Sequence, residues 1–179
     1  MIRFVVVVAL LLVGGCAAKV TSSADQTPIP VYADAKTTLV VLFKADAKVQ
    51  ANEKWPLLKS EWLEALRTRG QAKGLQVLTE RPKTPATLAT IEVTNFRYMS
   101  SGLRYSVGVM AGNAWISAQV RYQDATSGET LATRNYDTSS SAWEGVFSAM
   151  TSDQIKALAT TIIDDVTINS SSKPRRSPQ

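Results

Sequence analysis

The chain contains one cysteine, Cys16, and no histidine among its 179 residues. A cysteine sulfur is a nucleophile, and what it reacts with is set by its surroundings. Here Arg3 supplies a positive charge, residues 4–13 are apolar, and Val13-Gly14-Gly15 leads directly into Cys16. A charged start, an apolar centre and two small residues before a thiol make up a secretory signal that ends in a bacterial lipobox. In that reading residues 1–15 are removed and the Cys16 sulfur carries a diacylglyceryl group. The competing reading is an ordinary secretory signal cut after Ala18, with Cys16 incidental. The run is shorter than the roughly 20 apolar residues a spanning helix needs, so it reads as a signal and not as a membrane span.

The missing side chains exclude as much as the present ones suggest. Without histidine there is no Ser-His-Asp or Cys-His nucleophile, no zinc site of the His/Cys kind and no haem held by histidine. One cysteine leaves no disulfide. No metal and no cofactor is expected. Ser170 and Lys173 have Ser-x-x-Lys spacing, but in a tail that nothing preorganises. The pairs Asp164-Asp165 and Glu61/Glu64 fall on helical stretches, where a charged solvent face accounts for them. A hydrolase working with carboxylates alone would need two buried acids converging in one cleft, and the sequence gives no sign of them. The expectation is a protein that is not an enzyme.

The net charge of +5 is misleading in its distribution. Arg3 leaves with the signal, and Lys173, Arg175 and Arg176 crowd the last seven residues. Setting these four aside from the 20 basic residues leaves 16 against 15 acidic ones. A nucleic-acid binder shows a basic stripe on folded elements, and this domain does not. Residues 169–179 read as a disordered basic tail. Residues 16–33 read as the lipidated cysteine and a flexible tether, with a reach of about 20 Å if random.

Residues 34–168 form the expected globular domain. Residues 37–43 are β-branched and apolar, as in a strand buried on both faces. Trp55, Leu58, Trp62, Leu63 and Leu66 recur at helical spacing after Pro56, with Glu61 and Glu64 facing away and Gly70 as a left-handed cap. Strands are expected at 75–79, at 86–98 with Leu88, Ile91 and Val93 on one face, at 114–123 and at 130–137. The last two are joined by a turn at Asp124–Glu129. Residues 146–168 read as a long helix with Ser152 capping its regular part. The order β-α-β-β-β-β-α predicts an α+β domain, a mostly antiparallel sheet with two helices packed on one face.

The connection at 102–113 carries three glycines and several apolar residues but no phosphate-binding pattern. An extended hairpin explains it structurally. If it contacts a partner or a membrane, Tyr105, Val107, Val109 and Met110 are the candidate contact residues, since exposed apolar patches mark interaction sites. Trp143, near a strand–helix junction, is the further candidate. Tyr105 and Trp143 would also be the platforms of a small-molecule or glycan-binding module, the alternative function.

Gly102, Arg104, Gly108, Ala111-Gly112, Val120 to Asp124 and Thr126 to Glu129 together form a glycine-rich segment, an alternating strand and an Asp-x-x-x-Gly turn. In this the chain resembles a family of bacterial outer-membrane lipoproteins of unknown function. Its element order is more remotely similar to curli-secretion lipoproteins and to lipoprotein activators of peptidoglycan synthases. The resemblance implies a scaffold or accessory subunit of an envelope complex for secretion, export or cell-wall work, and brings no catalytic residues. Ala17, where aspartate would often retain a lipoprotein in the inner membrane, points to the periplasmic side of the outer membrane. The expected partners are the membrane, through lipid on Cys16, and an envelope protein or a second copy of the chain.

Overall fold

The computed structural model describes residues 19–22, 27–100, 114–139 and 151–175. In chain order the elements are Lys19–Ser22 (β1), Ile29–Tyr32 (β2), Thr38–Ala45 (β3), Ala47–Gln50 (α1), Trp55–Ala72 (α2) and Gln76–Leu78 (β4). They continue with Thr87–Arg97 (β5), Trp115–Asp124 (β6), Thr130–Ser139 (β7), Thr151–Thr167 (α3) and Ser170–Lys173 (β8). Six strands form one sheet in the order β1-β7-β6-β5-β3-β4, and β2 pairs with β8 in a separate parallel ribbon. The sheet is antiparallel from β1 to β5 and parallel from β5 through β3 to β4. The domain is α+β with a mixed sheet.

Periodicity decides which side chains enter the core. In β6, Ile116, Ala118, Val120 and Tyr122 are buried while Ser117, Gln119 and Arg121 alternate outward, the period of two that a half-covered strand requires. In α2, Trp55, Leu58, Trp62 and Leu66 make one buried stripe, and in α3 Ile155, Leu158, Ala159, Ile162, Ile163 and Val166 make another. Both stripes enter one cluster with Leu39, Val41, Ile91 and Val93, so α2 and α3 cover the same face of the sheet. β3 is buried on both faces as its composition predicts, because Val40 packs with Ala86 and Leu88 on the other side. Leu88 therefore points away from Ile91 and Val93, against expectation.

The structure corrects the expected ends of the domain. The expected tether contains β1, hydrogen-bonded to β7, and β2. The expected disordered tail contains β8, in register with β2 from Ile29↔Ser170 to Tyr32↔Lys173. Ser170 and Lys173 are thus strand residues. The expected helix at 146–168 is described from Thr151, since residues 140–150 lie outside the described set. Glu61 is half-buried and accepts a hydrogen bond from the Tyr98 hydroxyl at 2.8 Å, so it does not face solvent alone.

Gly70 is not the left-handed cap. The helix runs on to Ala72, and Gly74, with φ +69, makes the left-handed turn that leads into β4. Gly70 serves close approach instead. A Cβ there would lie 2.7 Å from Val77 Cγ2 and 2.9 Å from the Leu75 carbonyl oxygen, a backbone atom that cannot swing aside. Gly70→Ala is expected to destabilise the domain by about 1–3 kcal/mol, as overpacking does. Urea unfolding should show a lower midpoint with an unchanged slope, and an unchanged midpoint would refute the close-packing account.

Candidate functional site

The candidate residues Cys16, Tyr105, Val107, Val109, Met110 and Trp143 lie outside the described residues. The described backbone nonetheless shows where their segments attach. The registers place Lys19 opposite Ser139, Ser139 opposite Trp115 and Trp115 opposite Arg97, one row across β1, β7, β6 and β5. Met99 and Ala114, on either side of 101–113 in the sequence, and Ser139, before 140–150, stand at this end of the sheet, and Lys19 is three residues from Cys16. The first turn of α3 pins the same end. The Met99 N–H donates to Thr151 Oγ1 at 2.7 Å, and the Thr151 N–H donates to the Met99 carbonyl at 3.2 Å. Gln154, fully buried, donates from Nε2 to the Ala114 carbonyl at 2.6 Å and accepts from Thr138 Oγ1 at 3.0 Å. Buried side-chain amides persist only when their hydrogen bonds are made, so Thr151 and Gln154 act as fixed stems for both connections.

Asp165 does not lie on a solvent face. It is 3% exposed, and its carboxylate meets the Arg134 guanidinium of β7 in a buried ion pair. Its other oxygen accepts from the Tyr136 hydroxyl at 2.5 Å, and the Tyr122 and Tyr136 hydroxyls are 2.7 Å apart. Tyr136 spends its single hydroxyl hydrogen on Asp165, so Tyr122 donates to Tyr136. Burial, reinforced by the Asp165 charge, pushes both phenols far above their ordinary value, and they stay protonated. The chain of groups is sealed within the core, out of reach of a substrate, and ties α3 to the sheet. Asp165→Asn leaves the buried Arg134 charge without its partner and is expected to cost about 3–5 kcal/mol. Adding Arg134→Met should restore a large part of that loss in thermal unfolding; a double variant no better than the single one would refute the pairing argument.

A second polar cluster stands at the opposite end of the sheet, around the β6–β7 turn. The Asp124 carboxylate accepts from the backbone N–H and the hydroxyl of Ser127, both at 2.8 Å, and Gly128 takes φ +74 to close the turn. Arg175 then donates to both Asp124 oxygens at 2.9 Å and to Asp34 at 2.8 and 3.2 Å. Its guanidinium lies 4.4 Å over the Tyr32 ring. Lys173 Nζ donates to Glu129 at 2.6 Å, and the Tyr32 hydroxyl donates to the other Glu129 oxygen at 2.5 Å. The carboxylates and cations here saturate one another, which is the arrangement of a clasp holding the C-terminal segment.

The Arg175 hydrogen bonds and those from Ser127 outweigh burial and hold the Asp124 carboxyl at about 2, below its ordinary 3.8. Because the folded value is depressed, the stabilisation is complete above about pH 4 and is lost as pH falls through 2. The linked contribution is about 2 kcal/mol. Urea unfolding between pH 5 and pH 2 should show that loss, and Arg175→Gln should flatten it. An equally steep acid dependence in the variant would refute the clasp.

Between α2 and α3 runs an open groove of about 660 Å³, walled by Glu61, Glu64, Arg69 and Lys156 over a floor of Ala65 and Ile155. Arg69 reaches across to Asp164 at 3.1 Å, while among the described residues its buried Nε and the buried Glu61 Oε2 find no partner. Trp55 and Trp62 are buried core residues. Among the described residues no three His, Cys, Asp or Glu side chains gather as metal ligands, and no helix is long and apolar enough to cross a membrane.

No family model and no curated protein sequence matches the chain. Solved structures do match in fold. PelC from Paraburkholderia phytofirmans, a dodecamer, aligns with a TM-score of 0.52 at 13% identity, over 86% of this chain and 99% of its own. An uncharacterised protein aligns with a TM-score of 0.52 at 12% identity, over 78% and 96%. Protein XCC0632 from Xanthomonas campestris, assigned to the DUF330 family, aligns with a TM-score of 0.49 at 15% identity, over 80% and 90%.

Proposed function

We propose that the chain is a lipid-anchored envelope protein, attached through Cys16 to the periplasmic face of the outer membrane. Its α+β domain works as a non-enzymatic accessory subunit that binds protein partners, copies of itself included. The observation that supports this most is the fold held in common with PelC over nearly that whole chain, since PelC is a dodecamer. The signal and lipobox pattern ending at Cys16 supports the anchor. The internal saturation of the Asp165 and Asp124 clusters supports a role in binding over catalysis, because neither leaves a reactive group facing a cleft.

Cys16→Ser is expected to leave an unprocessed, unlipidated precursor that no longer partitions with membranes. Normal maturation and membrane partitioning of that variant would sink the anchor. Detergent-extracted wild-type protein should run as an oligomer or with an envelope partner by light scattering and co-purification. Replacing Val107, Val109 and Met110 together with serine should abolish that association while the melting temperature stays near wild type. Loss of folding would return those residues to the core.

The groove between α2 and α3 favours the alternative, a small-molecule or glycan-binding module, because it is concave, mostly apolar and rimmed by the charged residues Glu61 and Arg69. That reading predicts that Glu61→Gln weakens binding of a ligand identified by thermal-shift screening, and it fails if no ligand shifts the unfolding temperature.

A further inference from the structure

A flexible tether of residues 16–33 would let the domain tumble beneath its lipid, but β1 removes most of that freedom. Lys19 is already hydrogen-bonded into the sheet opposite Ser139. Only three peptide units separate it from Cys16, and three residues span at most about 11 Å when fully extended. A diacylated cysteine sits at the headgroup level, because its chains are buried in the hydrocarbon. Whatever the path of residues 17 and 18, the backbone of Lys19 lies within that short reach of the membrane surface.

The position of Lys19 in the sheet decides which end of the domain this short reach holds at the membrane. Lys19 stands in the terminal row of β1, β7, β6 and β5, with Ser139, Trp115 and Arg97 beside it. From that row β1 runs inward along β7, reaching Tyr136 at Ser22. β6 spans 10 residues from Trp115 to Asp124, so the Asp124 turn stands about 30 Å further along the strands. The anchor and the turn are at opposite ends of the same strands.

Resting on the lipid-anchor reading, we infer that the domain stands end-on on the bilayer, with the end that carries the row Lys19–Ser139–Trp115–Arg97 toward the lipid headgroups and the Asp124–Gly128 turn pointing away. The occupant of this end of the molecule is the lipid surface. In this stance the flank of the sheet and the α2–α3 face stand upright beside the membrane, open to lateral contact with other copies. The clasp of Arg175 on Asp34 and Asp124 faces outward, toward the periplasm.

Cys16 is the only cysteine, and in the lipid-anchored form its sulfur is held in a diacylglyceryl thioether, so an introduced thiol can be labelled alone. Asn95→Cys lies two pairs inside the terminal row and Thr126→Cys lies in the far turn; both positions are exposed. The full-length lipidated variants, labelled with an environment-sensitive fluorophore, go into phosphatidylethanolamine/phosphatidylglycerol vesicles containing lipid with a nitroxide on its headgroup. Quenching at position 95 should exceed that at 126 by threefold or more. Equal quenching in vesicle-bound, lipidated protein, or stronger quenching at 126, overturns the end-on stance and leaves the anchor standing. Protein that remains in the supernatant, with a mature mass lacking the diacylglyceryl group, overturns the anchor and the stance together.

Discussion

The architecture depends on one buried charge. Asp165 projects from α3 into the interior, where an isolated carboxylate would be severely destabilising. Arg134 from β7 neutralises it, and Tyr136 supplies the hydrogen bond the second oxygen needs. The pairing admits little slippage. Rotating α3 by one residue, or shifting β7 by one register step, would leave a charge inside an apolar core with nothing opposite it. Arg134 also donates to the Thr27 carbonyl at 2.7 Å, so the segment entering β2 is fixed by the same guanidinium. A buried ion pair is weak as a source of net stability, but it specifies one packing among several that the apolar stripe of α3 would otherwise tolerate.

From that fixed helix the two ends of the sheet acquire different characters. At one end Thr151 and Gln154 hold Met99 and Ala114 through neutral hydrogen bonds. At the other, Asp34, Asp124 and Glu129 meet Lys173 and Arg175 in charged ones. The neutral end carries the start of β1 and the attachments of both long connections. The charged end carries the returning C-terminal segment. The first and last described segments, β1 and β8 with Arg175, are thus both hydrogen-bonded into the domain, at opposite ends of the sheet.

The central elements were legible in the sequence because their signals are local. Period-two alternation in β6, the helical stripe of α2 and the apolar run of β3 each lie within a dozen residues. The features that escaped are long-range. Arg175 finds partners 51 and 141 residues away, and nothing in a Ser/Pro/Lys/Arg-rich tail distinguishes it from disorder until Asp34 and Asp124 are in place. Asp165 follows Asp164 on the helix, and only one of the two is buried; the distinction depends on Arg134 standing opposite. Helical spacing does carry a signal for it. Asp165 falls three residues after Ile162 and one before Val166, within the apolar stripe. Gly70 departs from expectation for a similar reason, since a glycine at a helix end has two uses and only the neighbouring strand shows which applies.

The same reasoning bears on where partner contacts belong. A surface already saturated by its own ion pairs offers a partner little, because each new contact must displace an existing one. That argues against the Arg175 clasp as a binding surface. The outer face of β5, β6 and β7 is different: Glu92, Ser117, Gln119, Asn135 and Asp137 line a shallow polar hollow that α2 and α3 do not cover. Hydrogen bonds there are exchanged with water at small net gain, so the face suits reversible contact more than tight capture. The helix side offers the larger groove, rimmed by Glu61 and Arg69. A neighbour seated there would take the mostly apolar surface around Ala65 and Ile155 out of water, which makes the α2–α3 face, and not the clasp or the outer sheet, the described surface on which a bound neighbour would gain most free energy.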